Sequence, residues 1–180
     1  IQMRVVSTSA ADDGSPAGTG ARTIDVHYLD AAGAVQTETI TLNGTSAVNT
    51  VATDILRIQD FHVKTVGSGG AAAGVISLQN TAGTVTYSSI DTGNNKARQA
   101  IFTIPAGCRG YITTVWAGAG VANGQHYLDA SLRSTSDFTS GELTPGVFQH
   151  KANLVVQDGT TPIVLPVPIC FPALADIKIS

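Results

Sequence analysis

Residues 5–44 read VVSTSAADDGSPAGTGARTIDVHYLDAAGAVQTETITLNG, and they consist almost entirely of strand and turn patterns. Over residues 23–29, apolar Ile, Val and Tyr alternate with polar side chains, which is the period of a strand with one buried face. Residues 31–33 then form a turn signal, and residues 35–42 resume as a Thr-rich strand. This stretch predicts a β-hairpin within a rigid β scaffold.

The same pattern of short strands and turns continues along the chain. Strand-like runs occupy residues 4–9, 23–29, 35–42, 55–66, 75–79, 85–90, 101–104, 111–117, 126–133, 147–156, 162–167 and 177–179. The breaks between them carry Gly, Asn, Asp, Ser or Pro, which favour turns. Residues 47–58 hold apolar side chains at helical intervals but are rich in Thr, Val and Asn, so we predict a loop that runs into a strand. The sequence therefore predicts an all-β fold, an antiparallel β-sandwich or jelly roll.

A chain of 180 residues can bury a core as one undivided β domain, and we predict a single domain over residues 1–180. The start at Ile1 without an initiator Met suggests a processed or incomplete chain. From residue 144 onward prolines become frequent, and proline is excluded from the centre of a sheet. Residues 144–180 are therefore predicted to be an edge segment or an extended arm that pairs with a neighbour.

Charged residues make up only 13% of the chain, about half the usual share of roughly 25%. With a net charge of −3 and a mean hydropathy of +0.17, the chain has few charges to solvate a large surface. We therefore expect other copies or partners to cover part of that surface. There is no apolar run of membrane-spanning length, and the ten Lys and Arg residues are scattered, so neither membrane insertion nor nucleic-acid binding is expected.

The sequence contains no local metal motif. His27, His62, His126 and His150 show no HxH or HxxxH spacing, and no cysteine lies close to a histidine. Folding could gather distant histidines, but the default interpretation of His27 and His62 is a solvent-facing or core-edge imidazole on a strand. Residues 12–14 (Asp-Asp-Gly) lack the DxDxDG calcium pattern and are interpreted as a turn. No metal or cofactor is predicted.

Catalytic motifs are also absent from the sequence. The Gly-rich segments lack the GK[ST] ending of a phosphate-binding loop, no serine lies in GxSxG or SxxK, and the chain has only two glutamates. No catalytic residue is assigned, and we expect a non-enzymatic protein. The alternative of a hydrolase would depend on one acid such as Asp129 or Asp137.

Two further predictions concern single side chains. Cys108 and Cys170 could form one disulfide, but two free, half-buried thiols are favoured. In a strand with a period of two, Trp116 lies on the same side as Ile112. This placement favours a core tryptophan. A carbohydrate-binding domain, which would need exposed aromatic rings, stays open as an alternative.

Several segments together resemble a known family. In chain order they are VVSTSAADD, GTGARTIDVHYLD, ETITLNGTSAV, ILRIQDFHV, GSGGAAAGVISL, IFTIPAGCRGYI and ADIKI. This order resembles tailed-phage virion structural proteins of the type common in marine and cyanobacterial phages. The most specific pieces are the LNGT turn at residues 42–45, the IPAG turn at residues 104–107 and the Asp-Ile pair at residues 176–177. None of them is a catalytic motif.

The resemblance implies a virion structural protein on the surface of a phage particle. The first hypothesis is a capsid decoration or cement protein that assembles as a homotrimer and binds the major capsid protein. Residues 162–172 and the first strand would be its bridging elements. The second hypothesis places the domain in the tail or a fibre, with Tyr127 or Phe138 in contact with glycan. A secreted carbohydrate-binding domain is the third.

Overall fold

The computed structural model describes residues 1–119, 127–136, 143–144, 146–157 and 159–180. Within these ranges every regular element is a β-strand, and all the strand pairs are antiparallel. The prediction of an all-β, antiparallel fold is confirmed. Jelly-roll connectivity stays a prediction.

The strands coincide with the alternating runs of the sequence. They are β1 Met3–Ser7, β2 Ala21–Leu29, β3 Val35–Thr41, β4 Val48–Asn49, β5 Arg57–Val66, β6 Ile76–Asn80, β7 Thr86–Ile90, β8 Ile101–Thr103, β9 Gly110–Ala119, β10 Tyr127–Ser134, β11 Gln149–Gln157, β12 Gly159–Phe171 and β13 Asp176–Ile179. Each predicted run overlaps one of these strands. The short strand β4 lies within the segment predicted as a loop, and β5 begins two residues later than predicted.

The chain divides into two compact units, Ile1–Gln99 and Ala100–Ser180, which we call unit 1 and unit 2. Each unit has its own cluster of buried apolar side chains. The single domain over residues 1–180 stays a prediction.

Unit 1 is built from two antiparallel sheets with strand orders β4-β1-β6-β7 and β3-β2-β5. Both sheets contribute to one core, because Val5 and Leu78 of the first sheet cluster with Ile24, Val26 and Phe61 of the second. These five side chains are fully buried. Each contributes about 1.5–3 kcal/mol to folding by leaving water. This arrangement is that of a β-sandwich.

Unit 2 has a four-stranded sheet, β11-β10-β13-β8, and a two-stranded sheet, β12-β9. Its core is smaller and centres on the buried side chains of Leu132, Leu154 and Phe171. The Pro-rich segment forms β12 and pairs with β9, and the edge-segment assignment of residues 144–180 stays a prediction. An extended arm that reaches another chain stays a prediction.

The β9–β12 pairing contains one large irregularity. Val164 pairs with Thr114, but the next pair joins Ile169 to Ile112, so residues 165–168 bulge out opposite the single residue Thr113. Two of the bulged residues are prolines, which cannot donate a ladder hydrogen bond. The bulge changes which side chains of β9 face the core.

Candidate functional site

Strand β2 has one apolar and one polar face, as its alternation predicts. Thr23, Asp25 and His27 lie on the face opposite buried Ile24 and Val26. Strands β3 and β5 add polar side chains to the same face, because some of their polar residues pair directly with those of β2. The cross-strand partners are Thr39 and His62 for Asp25, and Thr37 and Asp60 for His27.

Three side chains on this polar face come close together, and we call Asp25, His27 and His62 the polar-face cluster. One ligand-type atom of each lies within 4.8 Å of the other two. The His27 and His62 rings stack with their centroids 5.2 Å apart and their planes 17° apart. Asp25 is buried, whereas both imidazoles are half-buried. Solvent therefore reaches the cluster from the side of the imidazoles.

The Asp25 carboxylate is held by β3 and β5. Its Oδ1 accepts hydrogen bonds from Thr39 Oγ1 at 2.5 Å and Lys64 Nζ at 3.2 Å. Burial by itself would raise the pKa of Asp25, but these two hydrogen bonds and the charges of Lys64 and His62 outweigh burial and lower it. Asp25 is thus held as a carboxylate at neutral pH.

Each imidazole of the cluster is oriented through its Nδ1 atom. His62 Nδ1 lies 3.0 Å from Asp60 Oδ2, and the same oxygen lies 3.1 Å from Lys96 Nζ. His27 Nδ1 lies 2.8 Å from Thr37 Oγ1. Burial would raise the pKa of Asp60, but the hydrogen bonds and charge of Lys96, with the hydrogen bond to His62, lower it. Both rings keep Nε2 for another partner.

A second surface of interest is the β9–β12 ribbon, which is the two-stranded sheet of unit 2. It carries large apolar side chains that are mostly exposed: Tyr111 at 60%, Trp116 at 71%, Val164 at 67% and Val167 at 76%. Among the residues that the structure describes, each of the two strands has a ladder partner on one side only. The ribbon therefore offers both apolar side chains and open strand edges.

The prediction that Trp116 belongs to the core is wrong. Ile112 packs against the core of unit 2, as expected, but further along β9 the inward position falls on Val115. The bulge at residues 165–168 interrupts the ladder between these two positions. Trp116 consequently lies on the outward side of its strand.

Asp12, which was predicted only as a turn residue, has a fully buried side chain. Its Oδ1 accepts hydrogen bonds from the backbone N–H groups of Ala21 at 2.7 Å and Ala73 at 2.8 Å. Its Oδ2 accepts from Gly74 N at 2.9 Å and Ser7 Oγ at 2.6 Å. We call this group the Asp12 node. Its carboxylate is already satisfied by protein donors, and its role is structural.

Other candidate residues are also placed by the structure. Glu38 accepts hydrogen bonds from the backbone N–H groups of Val51 and Ala52, so it holds a loop. Cys108 and Cys170 are free, as predicted, but both are exposed rather than half-buried.

The remaining candidates lie in or near unit 2. Asp129 is exposed on β10, and His150 Nε2 lies 2.7 Å from Asn153 Oδ1. His126, Asp137 and Phe138 lie outside the described residues, and the side chain of Tyr127 is likewise not described. The glycan contact of Tyr127 or Phe138 and the hydrolase alternative based on Asp137 stay predictions.

Sequence reasoning placed Asp25 and His27 on strand β2 but did not associate them with His62. The i, i+2 spacing of Asp25 and His27 was the available signal, because it places both on one face of a strand. The position of His62 across from Asp25 depends on the β2–β5 register, which the spacing of motifs did not reveal.

Comparison of the chain with protein-family models, curated proteins and solved structures found no match. In the described part of the chain, no helix is long and apolar enough to cross a membrane.

Proposed function

We propose that this chain is a non-enzymatic structural protein of a phage virion, and specifically a capsid decoration protein. In this role it assembles as a homotrimer and binds the assembled head through its major capsid protein. The virion setting comes from the sequence resemblance described above. The observation that carries the proposal is the exposed apolar character of the β9–β12 ribbon.

The exposed side chains of the ribbon favour association. Large contiguous apolar patches are rare on the surface of monomeric proteins and mark interaction sites when they occur. Complete burial of a valine or a larger apolar side chain contributes roughly 1.5–3 kcal/mol. Val164, Val167, Tyr111 and Trp116 together can therefore supply several kcal/mol to an interface, which is enough for binding when many copies act together.

The open edges of β9 and β12 provide a second means of association. A strand edge with unpaired N–H and C=O groups accepts another strand, and such pairing is a recurrent mode of assembly. The two prolines in the bulge at residues 168 and 166 remove donors locally and limit uncontrolled pairing. A protein that binds only the assembled lattice stabilises that lattice by mass action.

Co-sedimentation with decoration-free phage heads tests this proposal, with the solution mass measured by light scattering in the same buffer. We expect saturable binding at a fixed ratio to the capsid subunit. Val167→Asp places a charge in the ribbon and should weaken binding at least tenfold. Val51→Asp is the matched control, since Val51 is 86% exposed but belongs to unit 1.

Three results would contradict the proposal in different ways. Equal binding by Val167→Asp and the unmodified protein would exclude the ribbon as the contact. No binding by a stable oligomer would favour a tail or fibre component instead. No binding by a monomer would remove the virion assembly role.

The exposure of Trp116 favours carbohydrate binding as a second candidate function. Aromatic rings on an exposed strand can stack on sugar rings, and Tyr111 and Trp116 are both exposed on β9. They are five residues apart, or roughly 16 Å along an extended strand. This candidate predicts a monomer that is retarded in polysaccharide affinity gels, and Trp116→Ala should abolish the retardation.

A further inference from the structure

We propose that Asp25, His27 and His62 form a binding site for a divalent first-row transition metal ion, with Zn²⁺ as its simplest occupant. Two imidazole nitrogens and one carboxylate oxygen are the donor set of open zinc sites and of related iron sites. This inference concerns unit 1 and is independent of the function proposed for the β9–β12 ribbon.

The strand register brings the three ligands together. Asp25 and His62 are direct cross-strand partners on β2 and β5, and His27 lies two residues from Asp25 on the same face. Their ligand atoms lie within 4.8 Å of one another. Ligands at about 2.0–2.1 Å from one tetrahedral zinc ion are roughly 3.3 Å apart, so the side chains need to approach by about 1.5 Å at most. The backbone can stay in place.

Both rings must tilt to bind one ion, since they are nearly parallel. A metal lies in the plane of each imidazole that binds it, so the two planes have to converge on the ion. His62 has 30% of its side chain exposed, and His27 is also half-buried. Side-chain rotation can therefore supply the required tilt.

The surroundings of the two histidines are those of metal ligands. A ligating histidine usually donates its second ring N–H to a carboxylate or another oxygen, which fixes the tautomer and ring orientation. Asp60 occupies that position for His62, and Thr37 occupies it for His27. With the proton on Nδ1, the lone pair of each ring lies on Nε2, which is then the nitrogen that can bind an ion. Lys96 in turn holds Asp60 in place.

Lys64 competes with the metal for Asp25. Its ammonium group lies 3.2 Å from Asp25 Oδ1, and it also donates a hydrogen bond to Thr39 Oγ1 at 2.8 Å. Among the described residues, the side-chain hydrogen bonds of Asp25 all involve Oδ1, so Oδ2 is available to an ion. Removing the ammonium group should increase metal affinity, and this expectation distinguishes the site from a purely structural ion-pair network.

The test is a titration of the full chain with ZnCl₂ by isothermal calorimetry. Exposed thiols bind zinc, so the titration uses Cys108→Ser/Cys170→Ser as the background protein. We expect one ion per chain. When Co²⁺ is added to the background protein in place of Zn²⁺, the visible spectrum should gain the absorption of a cobalt ion bound by protein ligands.

Single substitutions in this background locate the site. His27→Gln and His62→Gln should each weaken binding at least tenfold, and Asp60→Asn should weaken it by about 10–100-fold through the orientation of His62. Lys64→Met should tighten binding. His150→Gln is the matched control and should leave affinity unchanged. Circular dichroism checks that each variant is folded.

The proposal is overturned by either of two results. One is the absence of saturable zinc binding by the folded background protein. The other is binding that His27→Gln and His62→Gln leave unchanged, which would place the ion elsewhere on the chain.

Discussion

Replacement of Asp12 by alanine tests the interpretation of the Asp12 node as a structural junction. The substitution removes the acceptor for three backbone N–H groups and one hydroxyl. The hydrogen bonds from Ala21 and Gly74 are buried, and the bond from Ala73 is partly buried. The Ser7 hydroxyl can rotate to another acceptor, whereas the backbone groups cannot.

The expected loss of stability follows from the number of buried N–H groups that lose their acceptor. A buried donor left without an acceptor costs about 1–3 kcal/mol, so two of them give about 2–6 kcal/mol for Asp12→Ala. A folded unit of this size has roughly 5–15 kcal/mol in total. Asp12→Asn keeps one acceptor oxygen and should lose about 1–3 kcal/mol. Ser7→Ala removes the donor to Asp12 and also the acceptor of Ser9 N, and it should lose about 1–3 kcal/mol.

Urea unfolding followed by far-UV circular dichroism measures these differences. Asp13→Ala is the control, because the Asp13 side chain accepts an exposed hydrogen bond from Ser15 N. It should lose no more than about 0.5 kcal/mol. A loss for Asp12→Ala that is as small as the loss for Asp13→Ala would refute the structural role of the node.

Three further measurements test other features. Gly20→Ala brings its new Cβ into collision with Asp12 Oδ1 and should lower the free energy of unfolding by about 1–3 kcal/mol. In the double variant with Asp12→Ala, the total loss measured by urea titration should be smaller than the sum of the two single losses. Hydrogen bonds from the Gln36 side chain and the hairpin backbone lower the pKa of Asp30. The stability that Asp30 contributes is thus present above its unfolded pKa of about 3.9 and is lost as the pH falls through its lower folded pKa. The urea concentration at the unfolding midpoint should decrease as the pH is lowered through that range. The decrease should be smaller for Asp30→Asn. Both cysteines are exposed and free, so two equivalents of a thiol reagent should react with the native protein, and a single equivalent would contradict the placement.

The strand pattern of the chain was predictable because it depends on local alternation and turn chemistry. Residues 23–29 read as a strand from sequence, and the same alternation correctly divides β2 into an apolar and a polar face. The turn predicted at residues 31–33 also lies between β2 and β3. Such features need only a few consecutive residues.

Features that depend on register were not predictable. The β2–β5 ladder contains three irregularities, so no simple count along the chain places His62 beside Asp25. A bulge likewise turns Trp116 outward, although strict alternation from Ile112 predicts the core. Asp12 gave no signal either, because an Asp before Asp-Gly is ordinary turn chemistry and its burial depends on segments far along the chain.

The Asp12 node also bears on the order of events during folding. Its carboxylate joins N–H groups that lie 61 and 62 residues further along the chain. Contacts of such sequence separation require closure of a long loop, whereas the hairpin of β2 and β3 closes locally. We therefore expect the hairpin to form first and the node to close after the rate-limiting step. Asp12 would then govern how long the native state persists and have little influence on how quickly it is reached.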